Sequence, residues 1–209
     1  MTAGNRKVQP GQPGFIFASD LVDRLEIPIR LDRAEGDVHP GGNPHVQLDP
    51  HNIAKIALAV TQRLQKLDPA NAVYYETRGK DFQAHWQQAT ARWEKEGAPL
   101  KGMRLVPYHK DTVYLIHWLG LVEVVNIEPK PGIPPSAGHL SEMVGRLQGG
   151  TADAITRSAY QEPKAPEWLA EKTGLQVVEL PYTVGGTPGA KDLFGLFDDS
   201  IARLKAVKK

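Results

Sequence analysis

From residue 50 the apolar positions fall into a helical rhythm. Ile53, Ile56, Ala57, Val60 and Leu64 share one face, Asp49 and Pro50 supply a capped start, and Asp68-Pro69 breaks the pattern. A second, longer helix follows up to Gly97-Ala98-Pro99, with Val73, Tyr74, Phe82, Trp86 and Trp93 as its expected inward face. Beyond that break the period alternates. Residues 104–108, 122–127, 152–156 and 176–180 read as strands, and 112–119, 137–147, 166–172 and 191–206 as helices. Four strands joined by helical crossovers predict an α/β fold with a four-stranded parallel sheet covered by helices on both faces.

The chain before residue 50 lacks such rhythm. Residues 1–14 are polar and rich in Gly, Pro and Gln and read as an irregular lead-in. Ser19 with Leu21, Val22 and Leu25 predicts a brief capped helix, and residues 31–44 form a charged Gly/Pro loop that delivers His45. The expected organisation is therefore residues 1–49 as a segment too short for a domain, 50–97 as a helical linker with a long helix, and 98–209 as an α/β lobe.

Composition removes several classes of function. Lysine and arginine number 25 against 24 acidic residues, so no strong field recruits nucleic acid. There is no cysteine, hence no disulfide, thiolate metal site or cysteine nucleophile. Neither a signal-peptide core near Met1 nor a membrane-spanning apolar run is visible, so the chain as written is expected to stay where it is made. Walker, GxGxxG, GxSxG and HExxH patterns are absent as well.

Candidate chemistry gathers at the ends of the predicted strands, where ligands of parallel sheets bind. His109-Lys110-Asp111 follows the first strand directly, Glu128-Pro129-Lys130-Pro131-Gly132 follows the second, and residues 181–192 follow the last, ending at Asp192. His45 is held between a Gly-Gly-Asn-Pro turn and a Leu-Asp-Pro helix start, so it is aimed rather than loose. Each residue also has a plain reading: hydrogen-bonded histidines at turns for His45 and His109, a helix-capping aspartate for Asp192. His39, His51, His85, His117 and His139 are weaker candidates.

Four segments change the balance. GGNPHVQLDP with the following DPANAVYYETRGKDF, then VPYHKDTVYLIHWLGL, IEPKPGIPPSAGHL and the closing helix from Lys191-Asp192 together resemble the solute-binding proteins of zinc and manganese ABC importers, the cluster A-I or zinc-uptake family. The resemblance covers roughly residues 38–206 in the family's order. It implies two α/β lobes joined by a long helix, a metal ion held between them, and delivery to a membrane permease. It also implies His45, His109 and Asp192 as metal ligands, Zn2+ with Mn2+ as the possible alternative, a periplasmic location, and a monomer that is not itself membrane-spanning. Two nitrogens and one oxygen suit zinc.

The departures from the family are equally specific. Its first histidine belongs to an N-terminal lobe of which residues 1–49 would be a remnant, the tryptophan common after the second histidine is Gln47, and there is no histidine-rich loop. A three-ligand site leaves a coordination position open, for which His39 is a candidate. The same open position supports an alternative reading as a zinc-dependent hydrolase, with Glu128 as general base unless the Glu-Pro-Lys-Pro-Gly turn merely buttresses the site. A non-functional fragment is the third reading, and a genuine start at Met1 would make the chain cytoplasmic.

Overall fold

The computed structural model describes residues 5–29, 36 and 39–207. Helix α1 spans Pro50–Leu67, and its N-cap is Asp49, whose carboxylate accepts the His51 N–H at 2.8 Å. Pro50 costs this helix nothing because the first turn's N–H groups have no internal partner. A short turn at Pro69–Asn71 leads into α2, Ala72–Gly97. The two helices approach closely where Gly79 faces Thr61: a Cβ added at Gly79 would stand 2.6 Å from the threonine Cγ2 and Oγ1.

The inward face of α2 begins later than its sequence pattern predicts. Phe82, Trp86 and Trp93 pack inward, whereas Val73 and Tyr74 are 76% and 63% exposed. The first turn of α2 lies at the tip of the hairpin, where Tyr75 donates a hydrogen bond to Asp68. Trp86, by contrast, donates its indole N–H to the Pro50 carbonyl at 2.8 Å, and its ring meets Phe82, Trp93, Phe194 and Phe197 at centroid distances of 5.0–5.5 Å.

The sheet comprises β1 (Arg104–Pro107), β2 (Val122–Glu123), β3 (Ala154–Ser158) and β4 (Gln176–Leu180), all parallel, in the spatial order β2-β1-β3-β4. The connecting helices are α3 (Val113–Leu119), α4 (Ala137–Leu147) and α5 (Lys164–Thr173), and α6 (Leu193–Lys205) closes the chain. Strand residues alternate between two cores, as the pleat requires. Leu105, Ala154, Val178 and Leu180 join Trp86, Trp93 and Phe197 on one face, while Val106 and Ile155 join Met143, Leu147 and Leu169 on the other. Burial on both faces is what an all-parallel sheet demands.

Two local expectations change. The strand expected over 122–127 ends its regular ladder at Glu123, although Val124, Ile127 and Glu128 still donate to the carbonyls of Leu105, Pro107 and Tyr108. The capped helix expected at Ser19 is a single 3-10 turn, Ala18–Leu21, with no side-chain cap and with Ser19 buried. The loop over 31–44 lies partly outside the described residues.

Candidate metal site

The chain runs from β1 outward to β2, then returns across β1 to place β3 on its other side. The turns leaving β1 and β3 therefore diverge, and the crevice between them is where a parallel sheet binds its ligand. His109 stands on the turn after β1. Its Nδ1 lies 2.6 Å from Glu128 Oε2, which also accepts the Gly132 N–H at 2.9 Å. An ionised carboxylate only accepts, so Nδ1 is the nitrogen whose proton this bond uses, and Nε2 is the one left to face a ligand. Carboxylate-anchored imidazoles of this kind are the usual support of metal-bound histidine. The turn after residue 123 thus buttresses His109, and Glu128 has its Oε2 engaged twice.

His45 reaches the same place from the other end of the sequence. Gly42 has φ +92°, and a Cβ there would meet the Leu25 carbonyl at 2.8 Å, so the turn requires glycine. Asn43 then acts as a clasp. Its Oδ1 accepts the His45 N–H at 3.0 Å, its Nδ2 donates to the Lys110 carbonyl at 2.7 Å and to Glu26 at 3.1 Å, and its own carbonyl accepts from the buried Tyr114 hydroxyl at 2.8 Å. The loop before α1 is thereby tied to the turn beside His109. The two imidazole centroids stand 6.0 Å apart with planes at 72°. Two imidazoles sharing one zinc ion, at about 2.0–2.1 Å per Zn–N bond, have ring centres roughly 5–6 Å apart.

The surroundings favour a neutral His45. Burial is the largest influence and lowers its pKa, with His109 and His39 acting the same way and Asp111 and Glu26 opposing. A lowered pKa keeps the ring unprotonated at neutral pH, as coordination requires. Its Nδ1 lies 2.7 Å from the Tyr182 hydroxyl, and Tyr182 packs edge-on against Tyr160 at 5.3 Å. Tyr160 in turn donates to Asp111 Oδ2 at 2.9 Å, an oxygen that also accepts from Ser158 at 2.6 Å and Gln161 at 3.1 Å. Burial and the neighbouring Asp111 push the Tyr160 phenol well above its ordinary range, so it stays a donor.

Of the three residues singled out by the resemblance, His45 and His109 are neighbours, and Asp192 stands at the start of α6. Asp192 is exposed at the N-cap of α6, where its Oδ1 accepts the Gly195 N–H at 2.7 Å. That oxygen fills the capping role that its helix start allowed. Among the described residues no three His, Asp or Glu side chains stand together at coordination distance. His39, the candidate replacement, has its ring 6.2 Å from His45. Tyr182, Tyr160, Asn43 and Asp111 were not distinguished by sequence. Only their positions hinted at them, since Asp111 shares the post-strand turn with His109 and Tyr182 the segment after the last strand.

The profile of the family described as "ZnuA: Zinc-uptake complex component A periplasmic" matches residues 7–207. The high-affinity zinc uptake system protein ZnuA of Bacillus subtilis is 25% identical over 167 residues, covering 79% of this chain and 52% of that protein. The chain spans about half the length of the curated relatives it matches. Among solved structures, a crystal structure of ZnuA has a TM-score of 0.68 at 21% identity, covering 83% of this chain and 63% of that one. The solute-binding protein FpvC from Pseudomonas aeruginosa, solved in complex with Mn2+, has a TM-score of 0.64 at 23% identity, covering 86% and 67%. The structural likenesses establish the fold, and the profile match, running almost the whole length of the chain, establishes that it belongs to the family of periplasmic zinc-uptake component A proteins.

Proposed function

We propose that the chain is the metal-capturing, solute-binding component of an ABC importer, taking zinc, or manganese as the alternative ion, in the periplasm and handing it to a membrane permease. The observation that carries this reading is the pair of positioned imidazoles: His109 held through Nδ1 by Glu128 at 2.6 Å, with the His45 ring 6.0 Å away. Imidazole nitrogens are donors suited to a borderline-soft cation. In this reading residues 1–49 bring His45 from the first lobe, residues 50–97 form the linking helices, and residues 98–209 form the lobe that carries His109 and Asp192. Asp192 caps α6 through Oδ1, which accepts the Gly195 N–H, and its Oδ2 is the oxygen that would serve as the carboxylate ligand. The chain works as a monomer, binds the ion as cargo, and catalyses nothing; Glu128, the base a hydrolase would need, instead supports His109 and the Gly132 turn through Oε2. No described helix is long and apolar enough to cross a membrane, which leaves translocation to the permease.

The test is metal content after equilibrium dialysis against zinc, together with an assay panel of ester, peptide and phosphate substrates. Stoichiometric zinc without turnover is expected. Zinc-dependent hydrolysis, or no retained zinc, would refute the proposal.

A further inference from the structure

Asp111 is a buried carboxylate with no role in the ligand set implied by family resemblance. It lies two residues beyond His109 and is 2% exposed. Its recorded hydrogen bonds come from Ser158, Tyr160 and Gln161, all three converge on Oδ2, and all three donors are neutral. Stripping a carboxylate of water costs several kcal/mol unless charge and hydrogen bonds compensate. Neutral donors on one oxygen compensate in part and leave the other oxygen available. Among the described residues no lysine or arginine is paired with it, and the residues around it lead directly to the imidazoles. The Tyr160 hydroxyl binds Asp111, the Tyr160 ring packs on Tyr182, and the Tyr182 hydroxyl lies 2.7 Å from His45 Nδ1.

Resting on the metal-capture reading above, we propose that Asp111 supplies the anionic group of this site. Its Oδ1 reaches the ion directly or across one water, so that the cation is held by His45, His109 and Asp111 while Asp192 continues to cap α6. A divalent cation would complete the neutralisation that Ser158, Tyr160 and Gln161 begin, and those donors would hold the carboxylate in place as it arrives. Because the three groups do not stand at coordination distance together, binding draws the His45 loop and the turn after β1 closer. Asn43 already links those two segments.

The experiment measures zinc affinity by competition with a chromophoric chelator, and the visible absorption of bound Co2+, for the full chain and four variants near neutral pH. Asp111→Asn is expected to weaken zinc by about tenfold or more and to change the Co2+ bands, since an anionic donor is lost. Asp111→Glu, which keeps the charge, should bind more tightly than Asp111→Asn. Asp192→Asn should lose less affinity than Asp111→Asn, and His85→Ala, on the exposed side of α2, should stay within about twofold of wild type. Wild-type affinity in Asp111→Asn, equal losses in the Asn and Glu variants, or a loss confined to Asp192→Asn would each overturn the assignment while leaving metal capture standing. A wild-type chain that binds neither zinc nor Co2+ would overturn metal capture and this assignment together.

Discussion

Replacing Glu128 examines the positioned histidine most directly. In the wild type its Oε2 accepts the His109 Nδ1–H at 2.6 Å and the Gly132 N–H at 2.9 Å, and the side chains of His109 and Glu128 are only 22% and 13% exposed. The bond is charge-assisted and largely shielded from water, so it both fixes the tautomer and raises the basicity of the opposite nitrogen. Glu128→Gln keeps an acceptor oxygen of the same reach but loses the charge. Glu128→Ala loses both. Support residues of this kind are worth about 10- to 100-fold in metal affinity, or about 1.4 to 2.8 kcal/mol. The glutamine variant should fall near the lower figure and the alanine variant near the upper. Chelator competition with zinc reads both, and circular dichroism of the metal-free variants checks that the turn at 128–132 still forms. Unchanged affinity in both variants would mean that His109 is not the ligand this geometry prepares. An intact zinc affinity with lost hydrolytic turnover would restore the enzyme reading.

Zinc should raise the thermal midpoint, by roughly 2.7 kcal/mol of stabilisation at a hundredfold excess over Kd, and His45→Ala or His109→Ala should remove most of that shift while His85→Ala retains it; an equal shift in the double histidine variant would place the zinc elsewhere. Burial lowers the His45 pKa, so the unfolded chain takes up this proton first: the contribution is fully present above the ordinary histidine value near 6.5 and is lost as pH falls from there through the lowered folded value. Urea midpoints measured down that range should fall less steeply in His45→Gln than in wild type, and parallel profiles would contradict the burial argument. Trp86→Ala should cost about 3–5 kcal/mol in urea unfolding, since a fully buried ring in contact with four aromatic neighbours is lost along with the bond to Pro50; a loss below about 1 kcal/mol would mean that α2 and α6 do not depend on that cluster.

Local pattern settled the elements whose ends are decided locally. The helix over 137–147 and the strand over 176–180 have the bounds read from their periods, because Ser136 caps the first and alternating apolar residues flanked by Gly174 and Pro181 delimit the second. The parallel sheet followed from strands separated by helices, and His45 and His109 stood out because each sits on a short, punctuated segment at an element's end. Exposure of Val73 and Tyr74, and the early end of β2, depended instead on what packs beside them, which periodicity does not encode. The site itself was a tertiary decision. Insertion of β3 beside β1 brings Ser158, Tyr160 and Gln161 onto Asp111, and the Asn43 clasp brings His45 across more than sixty residues to His109. A carboxylate such as Asp192 at a helix start looks the same in sequence whether it caps the helix or binds an ion, and the fold shows its Oδ1 accepting the Gly195 N–H as the cap.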